Sequence, residues 1–317
     1  LARDLTKNYY GYNMLARTDG TDAGTVYTSL PVNDVPVYNI ECAAGSLYVT
    51  MASTTTGTDS YSLWRTSDGT SYQSIGDNSW VYTNLTVMGN KILARGQFYD
   101  YYYGISDYEL STMLLTDTNP SFQPITFKWS SGRTGVPFDP SSGANPQNLV
   151  VLNGVTYFSA NHYNFDMAYV NFYLFASNGT EMGTTQVFID SDQKPLRSYD
   201  MKGFNNMVVM RGDDACSGQE LYMIRRTSTL GQNTNIERVN INTLATDSMS
   251  ANINPDCNQE YSYSSYPDYF VEAGGKVYFS ATYPTIGTEL FVTDGTAAGT
   301  HMVIDLNPGP LSGYAYY

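Results

Sequence analysis

Residues 18–25 read TDGTDAGT and residues 293–300 read TDGTAAGT. Near-copies at opposite ends of a chain imply that what lies between them is also repeated, and an internal repeat constrains the fold more than any single motif does. Aspartate or asparagine followed by glycine supplies the positive φ angles of a tight turn. Around such turns the chain alternates apolar and polar residues with a period of two. After a glycine or asparagine turn come AAGSLYVTM (43–51), MGNKILAR (88–95), LNGVTYFSA (152–160), FNNMVVMR (204–211) and AGGKVYFSA (273–281). The opening LAR (1–3) matches the end of ILAR (92–95), and one register then holds Arg3, Met51, Arg95, Ala160, Arg211 and Ala281.

A second run in each unit leads into a turn of the DGT kind: MLARTDGT (14–21), LWRTSDGT (63–70), LFASNGT (174–180) and LFVTDGT (290–296), with eroded versions at 113–120 and 221–229. A third run follows, such as TTQVFID (184–190), and a fourth precedes each glycine turn, such as VPVYNIE (35–41). Four short strands per unit, about six times over, predict an all-β, six-bladed β-propeller of four antiparallel strands per blade. A β-solenoid would turn every ~20–30 residues, whereas Met51 to Arg95 spans 44 and Arg211 to Ala281 spans 70. The N- and C-terminal segments are expected to complete one shared blade, with LSGYAYY at or near its inner strand, so that residues 1–317 form a single propeller domain. The abrupt start is expected to mark an excerpt of a longer or processed chain.

ELFVTDGTAAGTHMVIDLNPG (289–309) resembles the ELW-x-TDGT-x-x-GT repeat of large secreted or surface proteins. That resemblance implies propeller blades and an extracellular or cell-surface setting, and carries over no reacting residues. LWRTSDGTSY (63–72) is similar to the Asp-box hairpin of sialidases and other propellers, a structural turn.

The net charge of −14 argues against nucleic acid as a partner, because such binding relies on basic patches. No apolar run reaches the 18 residues of a membrane helix, and LARDLTKN lacks the apolar core of a signal peptide. The long segments all belong to the second-to-third-strand loops and the crossovers between units, on one face of the expected propeller. Tyrosine concentrates there: Tyr9, Tyr10 and Tyr12; Tyr101, Tyr102 and Tyr103; Tyr163 and Tyr169; Tyr261, Tyr263, Tyr266 and Tyr269. Flat rings with a polar tip suit glycan stacking or protein contact, and also simple loop packing.

Cys216 and Cys257 fall on that face in adjacent units and are expected to form a disulfide, while Cys42, on an inner strand, is expected to be a buried thiol. Asn178 (NGT) lies on an exposed turn as a glycosylation acceptor; Asn84 (NLT) lies in an inner strand. Arg211-Gly212-Asp213 spells an adhesion tripeptide, but Arg3 and Arg95 fall in the same register, which makes this arginine a scaffold feature, paired with local acids such as Glu109 and Glu220. His162 and His301 are the only histidines, so no metal site is expected. Acidic pairs such as Asp213–Asp214 have the oxygen chemistry of a Ca²⁺ ligand, though a solvated loop explains them equally.

No cofactor is implied. The expectation is a non-enzymatic extracellular recognition, adhesion or surface-assembly module. Its Tyr-rich face would bind glycan or an extracellular protein, or self-associate. A structural subunit of an extracellular filament or matrix and a sialidase-like glycoside hydrolase are the alternatives.

Overall fold

The computed structural model describes residues 2–3, 13–27, 37–52, 61–75, 80–100, 105–125, 144–161, 172–187, 197–213, 220–226, 234–239, 265–283, 286–296, 298–309 and 312–313. These residues contain strands and turns and no helix. Five antiparallel meanders of four strands follow one another along the chain. They are β5–β8 (Val37–Ala43, Ser46–Ala52, Tyr61–Thr66, Gln73–Ile75) and β9–β12 (Trp80–Met88, Lys91–Asp100, Ile105–Leu114, Gln123–Pro124). Next come β13–β16 (Gln147–Leu152, Val155–Asn161, Phe172–Ser177, Thr184–Gln186) and β17–β20 (Arg197–Phe204, Met207–Asp213, Glu220–Arg226, Thr234–Val239). The last is β21–β24 (Asp268–Ala273, Lys276–Tyr283, Gly287–Thr293, His301–Ile304). A single pair, Tyr173↔Arg197, joins the third and fourth meanders into one sheet. Ahead of them lie two two-stranded pieces, β1–β2 (Ala2–Arg3, Asn13–Met14) and β3–β4 (Ala16–Arg17, Val26–Tyr27).

The chain divides into two compact units, Leu1–Thr126 with Asp139–Pro146, and Phe127–Phe138 with Gln147–Tyr317. In each unit the sheets pack face on face. In the second unit β18 presents Val208 and Met210 to a cluster with Leu152, Tyr157, Leu174 and Tyr222, and Val209 to another with Phe270, Phe279 and Phe291. The period of two therefore places one strand in two cores at once. In the first unit Tyr48, Leu63, Ile75, Tyr82, Ile92 and Met113 form the corresponding layer.

Each first-to-second-strand hairpin turns through left-handed residues: Ala44 and Gly45 (φ 49° and 70°), Asn153 and Gly154 (50° and 75°), Asn205 and Asn206 (44° and 58°), Gly274 and Gly275 (60° and 75°), with Gly89 at 62° in the remaining one. All five inner strands then carry a register shift at the same height, between Val37 and Asn39, opposite Leu93/Arg95, between Gln147 and Val150, between Ser198 and Asp200, and between Asp268 and Val271. A bulge bends its strand and re-aims the side chains beside it.

Counting from the hairpins corrects the register read from the sequence. Ser46, Lys91, Val155, Met207 and Lys276 are the first residues after the turns, each paired with the last residue of its inner strand. The fifth residues are therefore Thr50, Arg95, Ser159, Arg211 and Ser280. Met51, Ala160 and Ala281 sit one place further, and a one-residue slip moves a side chain to the other face of the sheet. The fifth position is polar in every meander, and from it side chains bond across to an inner strand or its lead-in. Thr50 Oγ1 donates to the Tyr82 carbonyl (3.4 Å), Ser159 and Ser198 share a hydrogen bond (3.0 Å), and Arg211 reaches Asp268.

The TDGT-x-x-GT turns are built alike. Asp19 Oδ1 accepts from Thr21 N and Oγ1 (2.9 and 2.7 Å), Asn178 Oδ1 from Thr180 (3.1 and 2.6 Å), and Asp294 Oδ1 from Thr296 (2.8 and 2.7 Å). Hydroxyl pairs close each turn: Thr18–Thr25, Ser177–Thr184 and Thr293–Thr300. A Cβ on Gly24, Gly183 or Gly299 would lie about 2 Å from the turn's own carboxylate or carboxamide, which is why the second glycine recurs.

One further expectation changes, and the C-terminal one falls mostly outside the described residues. Cys42 is exposed, because alternation along β5 turns Ala43 inward and Cys42 out. The C-terminal segment does not begin an inner strand at Ser312–Gly313. Instead Ser312 Oγ accepts from Thr288 N (3.1 Å), and Gly313 N donates to the Thr288 carbonyl (3.0 Å) and to Glu289 Oε1 (2.8 Å). Tyr314–Tyr317 lie outside the described residues.

Candidate active site

Three charged side chains meet in the second unit. Arg211, at the fifth position of β18, donates from Nη1 to Asp268 Oδ2 at 2.8 Å, with side-chain exposures of 21% and 33%. Its guanidinium also lies 5.4 Å from the Tyr199 ring centroid. Asp200, opposite Arg211 across the β17 bulge, is the third member. Burial raises the Asp200 carboxyl above the usual carboxylate range; the negative charge of Asp268 and a hydrogen bond shared with it act in the same direction, while Met201 N and Arg211 oppose them. The result is one acid biased toward its protonated form beside a second carboxylate that is ion-paired. Arg211 Nε is buried and has no bonding partner among the described residues.

The flanks of Asp268 are strained. Tyr266 (φ 42°) and Tyr269 (φ 59°) both hold left-handed backbone, a conformation that costs a bulky residue about 1–3 kcal/mol and collects at working sites. Both residues are exposed, at 47% and 43%.

The corresponding place in the first unit is built differently. Arg95 Nε and Nη2 both donate to Asn145 Oδ1 (3.1 and 3.0 Å), and the guanidinium lies 4.1 Å from the Tyr108 ring centroid. Desolvation draws the Arg95 guanidinium below its usual value, against the stabilising contact with Tyr108. The partners of these arginines among the described residues are Asn145 and Asp268, whereas Glu109 and Glu220 were the acids expected. Each lies across one meander opposite Gly96 and Gly212, one place beyond the arginines.

Of the tyrosines singled out in the sequence, Tyr266 and Tyr269 are in the described set and stand beside the cluster. Tyr9, Tyr10, Tyr12, Tyr101, Tyr102, Tyr103, Tyr163, Tyr169, Tyr261 and Tyr263 lie outside the described residues, as do Cys216, Cys257, His162 and Asp214. The disulfide is therefore unsupported. Asn178 keeps its turn position with its carboxamide oxygen engaged by Thr180. Asn84 sits at the β9 bulge (φ 55°), where its N–H and that of Leu85 donate to the Glu41 carboxylate. The Arg211-Gly212-Asp213 tripeptide is in strand β18, paired on both sides with a buried Gly212, not displayed on a loop.

No family model matches the chain, and no curated protein matches it. Solved structures do. A puromycin hydrolase covers 90% of this chain and 41% of its own length at 10% identity, with a TM-score of 0.49. A glycoside hydrolase of the GH130 family of mannoside phosphorylases covers 84% and 86% at 9% identity (TM-score 0.33), and the Bombyx mori GH32 β-fructofuranosidase 90% and 64% at 10% identity (TM-score 0.30). The chain thus spans about two fifths of the puromycin hydrolase it matches.

The non-enzymatic expectation, whether for recognition or for structural assembly, is corrected here. The second unit brings together a carboxyl pair, Asp200 and Asp268, that the sequence reading did not find. That pair escaped the sequence reading because its members come from inner strands of different meanders. Counting five residues from each hairpin turn would have brought Arg211 into line with the polar position and directed attention to the strand beside it.

Proposed function

We propose that this chain is a hydrolase built on a closed six-bladed β-propeller, with Asp200 and Asp268 as its reacting acids and Arg211 orienting them. The observation that carries the reading is the pair itself, two carboxyl groups of unequal environment in one partly open cluster. Environments that push two titratable groups apart assign the acid and the base. Protonated Asp200 gives its proton to the leaving group as that bond breaks. Asp268 takes a proton from the attacking water, whose oxygen bonds to the substrate carbon, and exchange with solvent returns a proton to Asp200. Tyr266 and Tyr269 offer exposed faces on which a sugar ring can stack, so the substrate class is a glycoside. An extracellular setting agrees with the tyrosine-rich, lysine-poor composition, and glycan is then the partner of the loop face.

Closure is supported by five complete meanders and, ahead of them, two strand pairs, β1–β2 and β3–β4, that supply part of a sixth. The decisive assay is release of sugar from a panel of glycosides, run beside a panel of amides. Asp200→Asn and Asp268→Asn should each lower turnover ~10²-fold or more. With Asp200 as the acid, turnover should fall as pH rises through its raised pKa. Cleavage of amides alone would keep the acid pair and change the substrate class. A folded chain that cleaves neither, or an Asp200→Asn variant as active as the parent, overturns the reading.

A further inference from the structure

Arg95 and Arg211 occupy the same position after their hairpins but end in different company. Asp268 neutralises Arg211 at 2.8 Å. Arg95 is half-buried, and among the described residues its partners are the neutral Asn145 and Tyr108. A guanidinium withdrawn from water without a counter-charge is an expensive arrangement in any protein. Here it persists in a chain with 30 acidic residues and a net charge of −14, where a carboxylate partner would be easy to supply.

The geometry also says which part of the side chain is left over. Both bonds to Asn145 Oδ1 come from the Nε–Nη2 edge. Among the described residues that leaves the terminal Nη1–Nη2 fork, the edge whose parallel N–H groups match the two oxygens of a carboxylate or the oxygens of a phosphate. The plane of the fork is fixed in advance. The Tyr108 ring lies 4.1 Å from Cζ, its hydroxyl accepts from Gln97 Nε2 at 3.1 Å, and Asn145 is held in turn by its own N–H to the Tyr108 carbonyl at 3.1 Å. Pre-organised groups lose little freedom when a ligand arrives.

We propose that Arg95, backed by Tyr108 and Asn145, is a receptor for an oxyanion carried by a small-molecule ligand, a carboxylate or phosphate group received by the guanidinium fork. This site belongs to the first unit and does not depend on the hydrolase reading, whose groups all lie in the second.

The test is isothermal titration of the full chain with three probes: glucuronate, inorganic phosphate and neutral glucose. Glucuronate or phosphate should bind, glucose should not, and the tighter of the two anions identifies the source of the oxyanion. Arg95→Met and Arg95→Lys should each weaken that binding at least tenfold, the lysine variant because it keeps the charge and the fold but loses the fork. Arg65→Met, at a partly exposed arginine bonded to Gln73, should leave it unchanged. Retained circular dichroism of the lysine variant separates a lost receptor from a lost fold. Absence of anion binding by the parent chain, equal binding of glucose, or parental affinity in either Arg95 variant would overturn the proposal.

Discussion

Asn178 does in one turn what Asp19 and Asp294 do in two others, with the same pair of bonds from the threonine two residues on. Geometry therefore needs the oxygen, and charge is an addition. In Asp294 the side-chain bond from Thr296, then its N–H, holds the carboxyl below the usual range; Thr21 does the same for Asp19, and the N–H groups of Ser71 and then Thr70 do so for Asp68. A carboxyl depressed on folding contributes stability above its unfolded value, and that contribution is lost as pH falls through the folded one. Melting temperature should therefore drop on acidification below about pH 4. Asp294→Asn should keep the turn while flattening that acid limb. Asp294→Ala should lose about 1 kcal/mol at neutral pH, since bond and charge go together. Thermal melts across pH check it, and an asparagine variant as damaged as the alanine one would refute the idea. Asp200 works in the opposite sense. Its raised pKa makes the folded state bind the proton more tightly, so stability declines as pH rises above the unfolded value, and Asp200→Asn should melt higher than the parent at neutral pH even as turnover falls.

At the scale of elements, the segment after β24 acts as a strap on β23. Glu289 is fully buried, and its two oxygens accept from Leu306 N and Gly313 N, both at 2.8 Å. A Cβ on Gly313 would stand 2.5 Å from Glu289 Oε2 and from Leu306 Cβ. Gly313→Ala should therefore release residues 306–313 while β21–β23 stay intact, and Glu289→Ala should do the same at a cost of about 1–3 kcal/mol for the stranded donors. Limited proteolysis reads this out as faster cleavage after Ile304 in both variants; unchanged cleavage in both would show that the strap is held elsewhere. The strap also shows what sequence could and could not reveal. Hairpins, strand order and the DGT turns were legible, because period-two alternation and Asn/Asp-Gly chemistry are local. The strap, the bulges and the Asp200–Asp268–Arg211 cluster depend on which residues of distant strands come together. The register error followed from aligning Arg95 with Ala281 by residue pattern rather than from the hairpin turn that sets it. Cys42 was misplaced for a similar reason: an inner strand has two faces, and only pairing tells which residue takes which.

For the whole molecule, face-on-face packing has a consequence for the closed ring proposed above. Phe279 and Phe291 bury one face of the last meander against Phe204 and Val209 of the one before it, through rings 5.9 Å apart within the layer. In an open array the last meander's other face ends at solvent, whereas in a ring the first set of strands covers it. Removing residues 1–27 distinguishes the two. An open array should lose hydrogen-exchange protection only in β5–β8, beside the cut. A closed ring should lose it also in β21–β24, more than 200 residues away in sequence, because the cut exposes both neighbours of the missing set. Burial of a single large apolar side chain is worth about 1.5–3 kcal/mol, and several would be uncovered at each new face, so the melting temperature should fall well beyond what loss of the short β1–β4 pieces alone would cause. Protection in β21–β24 that survives the deletion unchanged would show that the ring is not closed.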